Sequence, residues 1–341
     1  MTWGGIEEAL LRAILLWVLL TPAALTLLAA NLAPRRPSAR YVALALMAAQ
    51  AGVVLVMGVG MLAAATAASL LPPDALVAPM PLDARDLRSM GGWSVLTGLV
   101  ALGALLPPAR QLVARWQPGF SPDNVLHAVS LSLAVIMVGS TLIQGVLVQD
   151  LGQATRVDGG IGLSDIWAQG VALTVIGLIG IGWGTRRSWR EVWERLGMTP
   201  VTGGVARIAA TATVALLALD VAYMWLWQRL DPAGAEQIAR VSGLLFGDLA
   251  NVPGALSVGI TAAISEEIIY RGALQPRFGL LTTAALFALS HVQYGVSPAT
   301  VEVFIIGVVL GVVRRRTGLT ACMLIHLAYN ALNLLLLWQM G

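Results

Sequence analysis

The chain has 341 residues, of which 57% are hydrophobic and only 11% are charged, whereas ordinary soluble domains are about 45–50% apolar and about 25% charged. This composition excludes an ordinary soluble protein and predicts an all-α, polytopic transmembrane helical bundle. The net charge of +3 is small and scattered along the chain, so no nucleic-acid partner is expected.

Apolar segments long enough to cross a bilayer recur along the whole chain. A membrane-spanning helix needs about 20 mostly apolar residues, and about ten segments approach this length. The eighth and ninth segments are short, which indicates helices that are tilted, broken or partly re-entrant. The approximate limits are 9–32, 41–70, 91–108, 124–148, 166–184, 205–227, 253–270, 280–294, 299–313 and 318–339.

Arginine placement predicts the orientation, because the cytoplasmic loops of membrane proteins carry an excess of basic residues. With ten spans and an outside N-terminus, most loop arginines lie on the inner side. The outer loops then contain only Arg85, Arg88, Arg156, Arg229 and Arg240. We therefore expect an integral, multi-pass membrane protein with both termini outside. The expected location is a prokaryotic cell membrane.

An amphipathic stretch divides the chain near its middle. In RRSWREVWERLGMTP, the apolar side chains of Trp189, Val192, Trp193 and Leu196 share one helical face and the charged side chains share the other. This pattern predicts a helix lying flat at the inner membrane surface, with its indoles at headgroup level. It serves equally well as a plain connector or as an element of substrate access. The predicted regions are an N-terminal transmembrane region of unknown role at 1–184, an interfacial linker helix at 185–204 and a C-terminal core at 205–341.

Ionisable side chains inside the apolar segments are the main candidates for chemistry, because a charge at the bilayer centre costs roughly 2.5–3.5 kcal/mol. For Asp220 and Glu302 we favour a structural role, in which each bonds to a neighbouring helix. The remaining candidates are Glu266, Glu267, His291 and His326.

The adjacent glutamates differ in their helical positions. Glu267 and Arg271 are four residues apart, so an ion pair within the helix is expected. Glu266 is rotated by about 100° from its neighbour and is free to face a cavity. We therefore expect Glu266 to be the candidate general base.

The same spacing recurs in the last apolar segment. His326 and Asn330 are four residues apart and share a face. At about 1.5 Å per residue, Glu266, His291 and His326 all fall in the inner half of the membrane. A glutamate, two histidines and an asparagine that converge there could hold and activate a water molecule.

Three short motifs occur in order on successive apolar segments: E-E-x-x-x-R from Glu266, F-x-x-x-H from Phe287 and H-x-x-x-N from His326. This set resembles the CPBP family, the CAAX-processing and bacteriocin-processing intramembrane endopeptidases, also called the Abi family. The resemblance covers roughly residues 190 to 339. It leaves the N-terminal spans without an explanation.

The resemblance implies a CPBP-like catalytic core whose cavity opens toward the cytoplasmic half of the membrane. Its substrate would be a membrane protein or a lipidated peptide, including prenylated CAAX-type proteins. Glu266 would activate the attacking water with the help of His291, while His326 and Asn330 would stabilise the oxyanion. Structural support would come from Glu267 and Arg271.

The metal requirement stays open in the sequence. Glu266, His291 and His326 could form a zinc set, and the family is often described as metalloproteases. However, the sequence has no H-E-x-x-H motif, and the same residues serve a glutamate-dependent hydrolysis without metal. We favour no cofactor over a divalent metal such as zinc.

Several alternatives remain beside the protease. Cys322, one turn before His326, could be a thiol nucleophile, but we favour a small packing residue. The polar side chains could simply hold helices together. A proton-coupled transporter is another possibility, although the first five spans contain no counterpart of the polar set. A non-catalytic bacteriocin-immunity or binding protein with the same fold is the last alternative.

Overall fold

The computed structural model describes residues 3–70, 83–151, 160–295 and 297–340, and these are almost entirely helical. The predicted all-α fold is therefore confirmed for them, while Arg156 lies outside the described residues. The helices are α1 Trp3–Leu32, α2 Ser38–Leu70, α3 Ala84–Gly103, α4 Pro107–Trp116, α5 Val125–Leu151, α6 Leu163–Ile181, α7 Trp189–Leu196, α8 Gly203–Leu230, α9 Pro232–Phe246, α10 Val252–Glu266, α11 Gln275–Leu289, α12 Pro298–Thr317 and α13 Leu319–Met340.

The described helices form a polytopic membrane bundle with fewer spans than predicted. Seven helices are long and apolar enough to cross a membrane, or eight if α3 and α4, which are bent by 86° relative to each other, form one broken span. Two differences explain why the expected number of about ten spans is not reached. The predicted seventh and eighth spans follow each other without a loop and are separated only by the kink at Gly279, and α12 carries Glu302, Arg314 and Arg315.

These two helices and the segment between them extend from Val252 to Leu289 and contain 38 residues. A π-helical segment, Glu267–Leu274, joins α10 to α11, and a kink follows at Gly279, where φ is +73°. Such a φ strains any residue other than glycine. The ten or so residues after the kink span only about 15 Å, roughly half of the hydrocarbon core. The predicted eighth span is therefore a half-length arm.

The predicted amphipathic helix is present as α7. Val192 and Leu196 are buried against Ile268 of the π-helical segment, whereas Trp189 and Trp193 are about half exposed. The helix therefore packs its apolar face against the π-helical segment. The boundaries of the three predicted regions remain predictions.

Helix α9 was not predicted, because its residues were assigned to an outer loop. The signals are nevertheless present in the sequence. Asp231 accepts a hydrogen bond from the Gly234 amide at 3.0 Å, and Pro232 occupies the first turn. An aspartate cap followed by proline is a typical helix start.

Small residues allow the N-terminal helices to pack closely against the C-terminal ones. A Cβ atom added at Gly170 of α6 would lie 2.7 Å from Thr261 of α10, and one added at Gly177 would lie 2.7 Å from Ile268. Close approach through small residues is the usual way in which membrane helices associate. The N-terminal region therefore forms a wall of the region that carries the motifs.

The contact between α2 and α3, which also depends on a glycine, offers a direct test of such close packing. A Cβ at Gly58 would lie 2.6 Å from the Val95 backbone nitrogen, whereas a Cβ at Gly60 would meet nothing within 4 Å. Overpacking costs about 1–3 kcal/mol, so Gly58→Ala should lower the unfolding free energy by about that amount. Gly60→Ala should leave it unchanged or raise it by up to about 1 kcal/mol. Thermal unfolding in detergent micelles measures both, and equal midpoints would contradict the helix contact.

Candidate active site

The two adjacent glutamates lie where α10 passes into the π-helical segment. Isolated π-helical turns are frequent at functional sites. The side chain of Glu267 is fully buried, whereas that of Glu266 is 25% exposed. The sequence-based expectation that the two carboxylates face different surroundings is therefore correct.

The predicted ion pair between Glu267 and Arg271 is present and completely buried. Arg271 Nη1 donates to Glu267 Oε1 at 3.0 Å, and its Nη2 donates to the Gly307 carbonyl of α12 at 3.2 Å. The guanidinium carbon lies 4.3 Å from the centre of the Phe287 ring. Arg271 thus connects three elements: the π-helical segment, α11 and α12.

His326 of α13 lies between the two glutamates. Its Nδ1 is 2.9 Å from Glu267 Oε1, and its Nε2 is 3.8 Å from Glu266 Oε2. A carboxylate can only accept hydrogen bonds, so Nδ1 carries the proton in the bond to Glu267. The 3.8 Å separation is too long for a direct hydrogen bond, which leaves Nε2 available to another molecule.

His291 is also held in one orientation. Its Nδ1 lies 2.8 Å from the Phe287 carbonyl oxygen, and since a carbonyl only accepts, Nδ1 is the donor. In the neutral ring, Nε2 is then an acceptor. The His291 ring also lies parallel to the Tyr294 ring, with centroids 6.1 Å apart.

Phe287 is the aromatic residue that links the two histidines. Its ring centroid is 4.8 Å from that of His291 and 5.9 Å from that of His326, and both contacts are edge-on. The sequence analysis included Phe287 in a motif but gave it no role. The i,i+4 spacing between Phe287 and His291 explains the backbone contact, but nothing in the sequence indicates the stacking against Arg271.

A second residue missed by the sequence analysis is Tyr270, which directly follows the apolar pair after the glutamates. Tyr270 is buried and packs edge-on against Phe287, with centroids 5.2 Å apart. Its hydroxyl donates to the Met137 sulfur of α5 at 3.5 Å. An N-terminal helix therefore contacts the residues that surround the glutamates, and no local pattern in the sequence could show this.

Asn330 lies one turn after His326 on α13 and is half-buried. None of the hydrogen bonds between described residues joins it to the glutamates or to the histidines. Cys322, one turn before His326, is fully buried, and its thiol donates to the Leu310 carbonyl at 3.2 Å. The environment of Cys322 is that of a packing residue, as favoured from the sequence.

The other intramembrane carboxyl groups, Asp220 and Glu302, interact with each other. Asn333 of α13 donates to Asp220 of α8 at 3.2 Å, which is the interhelical bond expected for Asp220. Glu302 is buried on α12, and its side chain interacts with that of Asp220. The structural role favoured for Asp220 therefore agrees with its contacts.

Two carboxylate oxygens in the site lack protein partners. Among the described residues, Glu266 Oε2 and Glu267 Oε2 are buried atoms without a hydrogen-bond partner. Glu267 is already neutralised by Arg271, whereas Glu266 has only the distant His326 Nε2 beside it. Glu266 is therefore the carboxylate that can accept a proton from a bound molecule.

The residues considered for a metal do not form a ligand group. Within the described ranges, no three His, Cys, Asp or Glu side chains are arranged to hold a metal ion. His326 directs Nδ1 at Glu267, and His291 directs Nδ1 at a backbone carbonyl. Both bonds leave Nε2 free, which is also how metal-binding histidines are commonly held, so the preference for no metal stays a prediction.

Comparison with known proteins finds a similarity in the C-terminal region that carries the motifs. Residues 248–332 match the family model described as Type II CAAX prenyl endopeptidase Rce1-like. No curated protein and no solved structure gives a significant match to the chain. The matched residues include both glutamates, Arg271, His291, His326 and Asn330. Residues 248–332 of this multi-pass membrane protein are therefore similar to the Rce1-like CAAX endopeptidases, in agreement with the resemblance of the motifs to the CPBP family.

Proposed function

We propose that the protein is an intramembrane endopeptidase in which Glu266 activates water to hydrolyse a peptide bond of a membrane-associated substrate. At the level of the family, the match supports a CAAX-type endopeptidase. The observation that carries the finer proposal is the position of Glu266 Oε2, a buried oxygen without a protein partner that lies 3.8 Å from His326 Nε2. A carboxylate and an imidazole separated by this gap can act on one molecule bound between them.

The two histidines have different roles in this proposal, because their Nδ1 atoms bond to different groups. His291 donates from Nδ1 to the Phe287 carbonyl, so its Nε2 accepts a hydrogen bond and can orient the attacking water beside Glu266. His326 donates from Nδ1 to Glu267. When His326 is doubly protonated, its Nε2 is a second donor and can stabilise an oxyanion together with the Asn330 amide.

The charges of the cluster are compatible with a protonated His326. Two carboxylates, Glu266 and Glu267, balance one guanidinium and one imidazolium, so the buried group is neutral as a whole. Buried charges persist only when they are paired and hydrogen-bonded. Glu267 and Arg271 are therefore positioning residues in this proposal, because they act through His326.

The hydrolysis then proceeds in two proton transfers. Glu266 takes a proton from water, the resulting hydroxide forms a bond to the carbonyl carbon, and the carbonyl oxygen becomes an oxyanion. As the C–N bond breaks, the Glu266 carboxylic acid returns the proton to the leaving amine. No step in this proposal passes through a metal ion.

The substrate class and orientation follow from the family and from the charge distribution. We propose a membrane protein or lipidated peptide as substrate, including prenylated CAAX-type proteins. We also propose that the cavity opens toward the cytoplasmic half of a prokaryotic cell membrane, since the predicted inner loops contain most of the arginines.

Glu266→Gln is the first test of the mechanism. General-base catalysis contributes about 10²–10⁴-fold, so this variant should lose cleavage by about that factor. Glu302→Gln is the matched control, because it changes another buried carboxyl of the bundle to an amide and should keep cleavage within a few fold. The membrane peptidomes of a null strain complemented with each variant at equal protein levels give the measurement.

The outcomes distinguish the remaining alternatives. Unchanged cleavage in Glu266→Gln would refute the mechanism, and absence of cleavage products even with the wild-type protein would favour an immunity or binding protein. Loss of cleavage on removal of a tightly bound metal, measured with the metal content, would refute the metal-free version. Ion flux in proteoliposomes that depends on Glu266 without any cleavage would identify a transporter.

A second prediction concerns stability and separates the two neighbouring glutamates. Glu267→Gln leaves Arg271 buried without its counter-charge, and breaking a buried pair costs about 3–5 kcal/mol. Glu266→Gln removes no direct hydrogen bond and should change the unfolding free energy by less than about 1 kcal/mol. Thermal unfolding of both variants in the same detergent measures the difference. Equal destabilisation would show that the buried ion pair is not the supporting element.

A further inference from the structure

A basic cavity, separate from the pair of glutamates, has Arg271 in its lining. It has a volume of about 430 Å³, which falls within the range of about 300–1,000 Å³ typical of ligand pockets. Its charged lining consists of Arg271, Arg314 and Arg315, its amides are those of Gln117 and Gln275, and the remaining lining residues are prolines and glycines. No carboxylate lines this cavity.

Of the three arginines in the last turn of α12, Arg314 and Arg315 line the cavity. Among the described residues, neither Arg314 nor Arg315 forms a salt bridge. Arg314 donates from Nη2 to the Arg195 carbonyl at 3.2 Å, while its buried Nε has no partner. With Arg271 balanced by Glu267, the cavity has a formal excess of two positive charges.

Neighbouring groups increase this positive field. Burial lowers the pKa of Arg195, and the nearby Arg187 and Arg314 lower it further. Gly197, where φ is +61°, allows the Arg314 guanidinium to approach, since a Cβ there would lie 2.8 Å from Nη1. Arg314 is therefore held in a fixed position near other cations, and among the described residues no carboxylate forms a direct salt bridge with it.

We propose that this cavity binds a phosphate monoester. Arginine guanidinium groups recognise phosphate through paired N–H···O bonds, and a phosphate monoester carries about −1.5 to −2 charges at pH 7, which matches the excess of two. A carboxylate would neutralise only half of it. The phosphate belongs either to a lipid headgroup such as that of phosphatidate, or to a soluble compound.

The neighbouring arginines of the last turn differ in their relation to the cavity. Arg316 is an exposed arginine in the same turn that does not line the cavity, and its position needs no ligand. Arg315 is exposed as well but lines the cavity. The two residues therefore differ in the cavity contact while they contribute the same charge to the same helix end.

This difference provides a matched test in the purified full-length protein. A ligand that binds only the folded protein raises the unfolding temperature, and the rise grows with the logarithm of ligand concentration above Kd. Thermal unfolding is therefore followed in detergent with inorganic phosphate, with chloride at equal ionic strength as control. Mixed micelles containing phosphatidate or phosphatidylcholine form the second arm. Arg315→Gln should weaken binding by at least about tenfold, the effect of losing one charge-assisted hydrogen bond, whereas Arg316→Gln should change it by less than about twofold.

Stabilisation by both inorganic phosphate and phosphatidate would indicate that the cavity accepts a phosphate group from a soluble compound or from a lipid. Stabilisation by phosphatidate alone would indicate a lipid headgroup. Either result with the stated difference between the variants supports the proposal. Equal effects of Arg315→Gln and Arg316→Gln would show that the binding is nonspecific attraction to surface charge, and this would overturn the proposal. The absence of stabilisation by any phosphate ligand would overturn it as well. Binding is measured without turnover, so this proposal and the proposed hydrolysis can fail independently.

Discussion

The buried ion pair between Glu267 and Arg271 is the interaction on which the rest of the site depends. Both side chains are almost completely removed from solvent, and the effective desolvation penalty is several kcal/mol for each ion. Additional hydrogen bonds offset part of this penalty. His326 bonds to Glu267 Oε1, and the Gly307 carbonyl accepts from Arg271, so the pair connects α12 and α13 to the π-helical segment.

The same pair determines how the two adjacent glutamates differ. Glu267 has its charge balanced by Arg271 and shares an oxygen with His326, whereas Glu266 keeps a buried oxygen without a protein partner. Because His326 contacts Glu267 through Nδ1, the other nitrogen is directed toward Glu266. A change at Glu267 would therefore alter the imidazole beside Glu266 even though the two carboxylates do not touch.

Much of this arrangement could be predicted from helical spacing alone. Residues four apart share a face, which correctly paired Glu267 with Arg271, and the intramembrane cost of charge singled out His326. The π-helical segment could not be predicted, because it depends on packing against α6 and α7 rather than on local propensity. The division into two apolar segments on either side of Gly279 agrees with the kink there, but the two helices follow each other without the loop that separate spans would have.

Contacts that cross the whole chain explain what the N-terminal region contributes. Tyr270 donates to Met137 of α5, and Gly177 of α6 allows Ile268 to approach closely. These contacts are made by the residues immediately after the two glutamates, so the first helices hold the π-helical segment from behind. A C-terminal region separated from these helices would expose this apolar surface. Glu266 would then lose the packing contacts of the residues that directly follow it.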